Sequence, residues 1–280
     1  MKFANLIFGA SLFAGAAIAT PAFADSIKDP TIGGAGDAIL FNANDSNTFV
    51  DPTANLADIL AGNAGNPTGN IELFASSESV GFSGPATTLS GTLNGASILL
   101  SSLTEDDWSN GGFGQQWFSD FLDVSLNLFA QTQRGVIGDS TLYSIFETIG
   151  GRELFSDPNI SYVNQAGDGL VSIGLAGHLN AYNRIIGQIP DLLPYLNSNV
   201  QASEIVKVVY DNGPAQYLYS FSATDSGLTE LGDGVSHSGN YEVSFQGEEP
   251  QATPEPMATA ALLLVGLTGA AIGKKSLAVS

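Results

Sequence analysis

The chain has 280 residues, of which 44% are hydrophobic and 13% charged, and its 28 acidic against 8 basic residues give a net charge of −20. Nucleic acid is excluded as an expected partner, because phosphate binding needs a surface rich in Lys and Arg. The sequence contains no cysteine, which excludes disulfides, thiolate metal sites and cysteine nucleophiles.

The N-terminus has the three parts of a secretory signal peptide. Lys2 supplies a positive charge, residues 3–19 are mostly apolar, and Ala22 and Ala24 frame a small-residue cleavage site. We therefore expect residues 1–24 to be a signal peptide that is cleaved after Ala24. A buried helix at the start of a domain would explain the apolar run but not the cleavage site.

The pattern of residues 25–100 predicts short strands between polar turns. Residues 25–70 are rich in Gly, Asn, Asp and Ala, with an apolar run at 38–41. Residues 71–74 and 97–100 predict strands, because each is apolar and is bounded by Gly, Ser or Asn.

The middle of the chain changes to helical periodicity. Large apolar residues recur at helical spacing over 113–134, which predicts one long helix. A second helix is predicted over 139–149, with Asp139 as its N-cap and two glycines after its end. A third is predicted from about Ala176 to Gln188, before Pro190.

The last part of the domain returns to strands. Residues 205–210 and 216–221 flank an Asp-Asn-Gly-Pro turn, in which Asn-Gly is a strong hairpin signal. Residues 241–245 alternate and predict a further strand. Strands on both sides of a helical block predict one α+β domain with antiparallel strands over 25–245, followed by an acidic linker over 246–256.

The C-terminus has an equally organised pattern. Pro254, Glu255 and Pro256 precede seventeen residues without a charge at 257–273, and then a basic tail at 274–280. A helix of that length would span roughly 25 Å, at the short end of the transmembrane range. The positive-inside rule keeps Lys274 and Lys275 in the cytoplasm as a stop-transfer signal. The alternative is a C-terminal core helix.

This order of Pro-Glu-Pro, transmembrane helix and basic tail resembles the PEP-CTERM sorting signal of Gram-negative bacteria and cyanobacteria. The resemblance covers residues 254–280. It implies that a membrane protease, exosortase, recognises Pro254-Glu255-Pro256 and removes the helix and tail, so that the protein is attached at the cell surface or released. The segment 151–181 also resembles one in an uncharacterised cyanobacterial group of PEP-CTERM proteins, for which no catalytic residue is implied.

Nucleophilic chemistry has one weak candidate. The loop Gly234-Val235-Ser236-His237-Ser238 approaches a nucleophile elbow but has Ser in place of the second Gly, and a strand follows it instead of a helix. A triad of Ser236, His237 and Asp233 is the catalytic interpretation, and a polar loop with a surface histidine is the favoured one. His178 is expected to be a histidine at a helix edge or in the core.

Paired carboxylates offer a second candidate chemistry. Glu105, Asp106 and Asp107 lie beside Trp108, with Trp117 following, as a glycoside hydrolase would require. The favoured interpretation is structural: a Thr-x-x-Asp box from Thr104 opens a short helix, whose first turn favours acids.

Calcium is the one cofactor that we consider. Oxygen-rich side chains cluster over residues 42–51 and could supply hard ligands, but turn-forming loops have the same composition, and the EF-hand pattern is absent. The candidate ligands are Asn42, Asn44, Asp45, Asn47 and Asp51.

The sequence therefore favours a non-catalytic exported protein, a surface or extracellular-matrix component with an exosortase-like protease and extracellular polysaccharide as expected partners. Residues 25–253 contain 27 acidic and five basic residues, a net charge of −22, which favours solubility and repels anionic polymers. Two alternatives stay open: a secreted glycan or ester hydrolase, and a calcium-assisted carbohydrate-binding module.

Overall fold

The computed structural model describes residues 25–74, 84–188, 190 and 194–249. The expected signal peptide, Pro-Glu-Pro motif, transmembrane helix and basic tail lie outside these residues, so these interpretations stay predictions. Within the described residues, no helix combines the length and apolar character that crossing a bilayer requires.

The described residues form fourteen strands and six α-helices. The strands are β1 (Asp25–Ser26), β2 (Lys28–Gly34), β3 (Ala38–Ala43), β4 (Asn47–Val50), β5 (Gly69–Leu73), β6 (Thr87–Leu93), β7 (Ala96–Ser101), β8 (Asn159–Gln165), β9 (Leu170–Gly177), β10 (Val206–Tyr210), β11 (Gln216–Leu218), β12 (Thr224–Asp225), β13 (Thr229–Glu230) and β14 (Gly239–Gln246). The helices are α1 (Leu56–Ile59), α2 (Glu105–Ser109), α3 (Phe113–Ser125), α4 (Leu128–Ile137), α5 (Asp139–Thr148) and α6 (Tyr182–Gln188), with 3₁₀ turns at Asn110–Gly112 and Glu153–Phe155.

The strands form two sheets. The larger has the order β12-β14-β9-β8-β5-β3-β4-β13, with β1 also paired to β8, and the smaller has the order β11-β10-β7-β6-β2. The strands of the described residues pair antiparallel, except that β13 pairs with β4 in parallel. The fold class is thus mixed α+β, dominated by sheets and with a small helical block. This confirms the predicted α+β class.

The two sheets pack face to face around one apolar core. Alternate residues of β5, β8, β9 and β14 meet those of β6, β7 and β10, as expected where each strand buries one side. Core residues include Ile71, Ile173 and Val243 from the larger sheet and Leu89, Leu100 and Val208 from the smaller one.

Helices α2, α3, α5 and α6 enclose a second, aromatic core at one end of the sandwich. Trp108, Trp117 and Phe146 lie at its centre, with Tyr217 from β11 and Tyr219 directly after that strand. Trp117 stacks on Phe121, with ring centroids 5.5 Å apart. Aromatic side chains bury a large area each, which explains how a few short helices sustain a core of their own.

Asp25 and Glu248, near the N- and C-termini of the described domain, lie at the end of the sandwich opposite this aromatic core. Asp25 pairs with Gln165, the last residue of β8, and the side-chain amide of Gln165 donates to the carbonyl of Glu248 at 2.8 Å. The helical block instead adjoins the opposite end of these strands, because Tyr241, near the start of β14, donates to the carbonyl of His178 and accepts from the amide of Ala202.

Two predicted helices were wrong in their extent. The predicted helix over 113–134 is two helices, because Leu126 is extended and the side chain of Asn127 caps α4 by accepting from the amide of Ala130. The third helix was predicted from about Ala176, but residues 176 and 177 are the end of β9, whose apolar side chains alternate into the sandwich core, and helix α6 begins only at Tyr182.

Two local predictions shift by one to three residues. Asp139 is the first residue of α5 and Gly138 is the N-cap, so the Asp139 carboxylate is free to bind Arg134. The hairpin between β10 and β11 is confirmed, but the positive φ angles fall on Asp211 (46°) and Asn212 (56°). Strand β11 ends at Leu218, earlier than the predicted 221.

Candidate functional site

The predicted acidic cluster contains a buried structural carboxylate. Asp107 accepts from Lys207 Nζ at 2.6 Å and from the Tyr217 hydroxyl at 2.8 Å through Oδ1. Its Oδ2 accepts from the amide and hydroxyl of Thr104 at 2.9 and 2.8 Å. Asp107 thereby ties α2 to β10 and β11, and the predicted short helix is confirmed.

Burial opposes ionisation of Asp107, but its hydrogen bonds from Lys207, Thr104 and Tyr217 outweigh that effect, so the pKa of the carboxyl is lowered. The neighbouring Glu105 and Asp106 are exposed. A raised pKa is the usual sign of a general acid, so the lowered value at Asp107 favours an ion-pair role.

The two tryptophans next to this cluster do not form an open platform. Trp108 is 2% exposed and Trp117 is fully buried, and their rings meet edge to face at 5.3 Å. Trp108 Nε1 donates to the hydroxyl of Ser156 at 2.9 Å. A sugar could not stack on either ring in this structure.

The loop that carries Ser236 brings a different histidine to the serine from the one predicted. Ser236 Oγ lies 3.3 Å from Nε2 of His178 and donates to Oδ2 of Asp233 at 2.5 Å. His237 is turned away, with Nδ1 2.7 Å from Thr48 Oγ1 and its ring edge to face with Phe41. The catalytic triad that the sequence suggested, of Ser236, His237 and Asp233, is therefore not formed.

The new arrangement also differs from a catalytic relay. In a triad the acid orients the histidine, and the histidine takes the proton of the serine. Here Asp233 binds the serine hydroxyl itself and accepts from the amides of Val235 and Ser236, which organises the loop. Burial and the nearby charge of Arg184 lower the pKa of His178, which favours its neutral form.

His237 is a buried residue, contrary to the surface position that we expected. It is 6% exposed, and burial lowers its pKa to about 4. Its φ angle of 63° lies in the left-handed region, which few residues other than Gly adopt and in which Asn, Asp and His are enriched. The loop thus holds a neutral imidazole over the outer face of the larger sheet.

Beneath His237 lies a cavity of about 220 Å³, a volume that includes its mouth, and its deepest part is wide enough for about one water molecule. The described residues that line it contribute no acidic or basic side chain except the neutral imidazole of His237. Its polar lining comes from Thr48, Asn70, Ser161, Ser226, His237 and Asn240.

Asn70 is the least satisfied group in this cavity. Its side chain is fully buried, and among the described residues neither its amide nitrogen nor its oxygen has a hydrogen-bond partner. A buried polar group without a partner costs about 1–3 kcal/mol. The cavity therefore fits a small uncharged group that both donates and accepts, such as water or a hydroxyl, better than an ion.

A β-bulge supplies further polar groups to the same sheet face. The register shifts between Ile160 and Tyr162, so Ser161 and Tyr162 both turn away from the sandwich core. Tyr162 donates to Glu242 at 2.8 Å, and Ser161 donates to Asn240 at 3.3 Å. The outer face of the larger sheet, from Asn70 to Glu242, is consequently polar.

A charged pair adjoins this polar face near the end of the sandwich that carries the helices. Arg184 Nη1 lies 2.8 Å from Oε1 of the buried Glu204, whose Oε2 accepts from Asn159 Nδ2 at 3.2 Å. The side chain of Arg184 is 35% exposed, and its positive charge also acts on His178.

The oxygen-rich run at 42–51 adopts turns. Asn44 Oδ1 accepts from the amides of Ser46 and Asn47, and Asp51 Oδ1 accepts from the amide and hydroxyl of Thr53. Within the described ranges, no group of three or more His, Cys, Asp or Glu side chains could hold a metal ion. The local geometry favours the turn interpretation over the calcium one.

Asn70, Arg184 and Glu204 were not identified from the sequence. For Asn70 a signal existed: Asn70 and Glu72 alternate with the core residues Ile71 and Leu73, so one side of β5 is polar although the strand is central. The pairing of Arg184 with Glu204 has no signal in the sequence, because twenty residues separate them.

Comparison with known proteins found no matching family profile, no similar curated protein and no similar solved structure.

Proposed function

We propose that the chain is an exported, non-catalytic surface or matrix protein that is sorted through its C-terminal Pro254-Glu255-Pro256 signal. The observation that carries this proposal is the order of that motif, the uncharged segment 257–273 and the dibasic Lys274-Lys275, in a chain that begins with a secretory signal pattern.

The described domain is consistent with this order of segments. Asp25 and Glu248, near its two ends, are both linked to Gln165 at one end of the sandwich. The chain therefore enters and leaves the domain at the same end.

The test is the intact mass of the mature protein in the surface and culture fractions. We expect an N-terminus at Asp25 and a C-terminus near Pro254-Glu255-Pro256. Substituting Pro254 and Pro256 by Ala should preserve the full C-terminus, whereas Pro250→Ala, in the same linker, should leave processing unchanged. A mature wild-type chain that retains residues 257–280 would overturn the sorting proposal.

The proposed extracellular partner is a neutral polysaccharide. The net charge of −22 over residues 25–253 disfavours acidic polymers, so a neutral glycan is the class of polymer that this charge does not repel. Affinity electrophoresis in gels with neutral or acidic glycans should show retardation by a neutral one. Retardation only by acidic glycans, or by none, would contradict this partner.

A secreted esterase is the second candidate, because Ser236 and His178 lie 3.3 Å apart. The hydrogen bond of Ser236 to Asp233 opposes it, since the acid does not orient the histidine. Ester hydrolysis by the purified chain, lost in Ser236→Ala and kept in Ser238→Ala, would replace the non-catalytic proposal with this one.

A further inference from the structure

Helix α4 exposes its apolar side. Leu128 is 86% exposed, Phe129 62% and Val136 81%, whereas the only apolar residue of the helix that is buried is Ala130. We call the side that Leu128, Phe129, Thr132, Gln133, Val136 and Ile137 form the α4 face. These positions recur at i, i+1, i+4, i+5, i+8 and i+9, which places them on one side of a helix.

The opposite side of α4 is held by polar contacts. Arg134 binds Asp139 and Asp123 with its side chain 13% exposed, and Gln131 Nε2 donates to the carbonyl of Leu122 at 2.8 Å. Asn127 caps the helix and also donates to the carbonyl of Pro194 at 3.0 Å. The usual amphipathic arrangement, with apolar residues inward, is therefore reversed.

The α4 face also differs from the rest of the domain in charge. Residues 25–253 carry 27 acids and five bases, but α4 has no acid, and its single base points inward to Asp139. At most contacts between two copies of such a domain, acidic side chains of one copy would face acidic side chains of the other. The α4 face is a surface on which two copies can meet without that repulsion.

We propose that the α4 face is a self-association surface, at which a second copy of this chain packs its own α4 face in a two-fold arrangement. Apolar patches of a few hundred Å² are characteristic of protein interfaces, whose centres are depleted of charge. A two-fold contact uses the same patch on both copies, so one uncharged face is sufficient.

The charge of the domain favours a second copy over a lipid surface. The net charge of −22 over residues 25–253 disfavours approach to anionic lipid, whereas the uncharged α4 face of a second copy meets no such repulsion.

The absence of cysteine allows a direct test in the full chain. Thr132→Cys places one thiol near the centre of the α4 face, and Thr53→Cys places one on an exposed loop as the matched control. After treatment of exporting cells with a short bis-maleimide, we expect a product of twice the chain mass for Thr132→Cys and none for Thr53→Cys.

A second variant tests the apolar contact itself. Leu128→Asp in the Thr132→Cys chain should reduce the cross-linked fraction at least tenfold, because two acids would face each other across the two-fold axis. Its circular dichroism should be unchanged, since Leu128 is exposed in the single chain. Its melting temperature should match that of the wild type at protein concentrations low enough for both to be monomeric. Three results would each overturn the proposal. They are unchanged cross-linking of the Leu128→Asp variant, a Thr132→Cys chain that stays monomeric, and cross-linking of Thr132→Cys only to a different protein.

Discussion

Arg134 binds both carboxylate oxygens of Asp139, with Nε 2.6 Å from Oδ1 and Nη2 2.7 Å from Oδ2. This bidentate pair joins α4 to α5 across Gly138. The hydrogen bonds from Arg134 lower the pKa of Asp139, against the opposing effect of burial. Since few apolar side chains of α4 are buried, the position of the helix depends on this pair more than on hydrophobic contact.

We predict that Arg134→Lys loosens α4. Lysine keeps the charge but cannot donate two parallel hydrogen bonds to Asp139, so the free energy of unfolding should fall by about 1–2 kcal/mol. Hydrogen exchange should accelerate in residues 128–137 before it does in the sheets. The control is Lys28→Ala at an exposed ion pair, which should cost less than about 1 kcal/mol. Unchanged exchange in α4 would contradict this account.

Asp107→Asn should destabilise the junction between the helical block and the sandwich. The amide cannot pair with Lys207 as a charge and is a weaker acceptor for Thr104 and Tyr217, so we expect a loss of about 2 kcal/mol in urea unfolding. Asp106→Asn, its exposed neighbour, should change stability by less than about 0.5 kcal/mol. Equal effects of the two variants would argue against a structural role that is specific to Asp107.

The Asp107 carboxylate should also affect how the free energy of unfolding changes with pH in acid. Its folded-state pKa is lowered, so its contribution is present above the unfolded value near 4 and is lost as the pH falls through the folded value. The stability difference between wild type and Asp107→Asn should therefore shrink below about pH 4. A difference that stays constant down to pH 2 would contradict the lowered pKa.

His237 should make the protein less stable in mild acid. Its folded-state pKa of about 4 lies below the unfolded value near 6.5, so between these values the unfolded chain binds a proton that the folded chain does not. The free energy of unfolding should fall by about 2 kcal/mol from pH 7.5 to pH 5 through His237 alone.

His237→Asn is the matching variant, because Asn tolerates the positive φ angle and does not titrate. Most of this pH dependence should disappear in chemical unfolding of the variant. The remainder should come from His178, whose pKa is also lowered, and should vanish in the double variant with His178→Asn. An unchanged slope in both variants would exclude the two histidines as its source.

Asn70→Asp tests whether the cavity is uncharged. A carboxylate there would be desolvated without a cation, so we expect a loss of roughly 3 kcal/mol at pH 7 that decreases toward pH 4 as the acid binds a proton. Asn70→Leu removes the hydrogen-bond requirement without adding charge and should stay within about 1 kcal/mol of wild type. Wild-type stability of Asn70→Asp at pH 7 would show that a positive group faces the cavity.

Several elements were predictable because their signals are local. The capping box of Thr104 and Asp107 forms within one turn, and the turn between β10 and β11 is specified by adjacent residues that tolerate positive φ. The break at Asn127 was missed because the apolar spacing continues through it. Asn127 caps α4 through the amide of Ala130, and its side chain also donates to the carbonyls of Pro194 and Leu196, which lie far away in the sequence.

Ser236 and His237, which the sequence suggested as a catalytic pair, contact different partners, and both partners are distant in the sequence. Ser236 and His237 are adjacent in the chain, but the positive φ of His237 sends its ring under the loop to Thr48, while His178 reaches Ser236 from 58 residues away. Neighbouring side chains often point in opposite directions, so a local motif could not have identified this partner.

The sequence by itself determined the composition-level properties of this protein: the acidic charge, the absence of cysteine, the two terminal patterns that predict export and sorting, and the division into strands and a helical block. These depend on residue type and short-range periodicity. The tertiary structure alone decided that Asp107 is an ion-pair anchor, that Asn70 faces a polar cavity and that α4 turns its apolar side outward. Each of these depends on which distant residues burial brings together, and hydrophobic periodicity does not encode the identity of those partners.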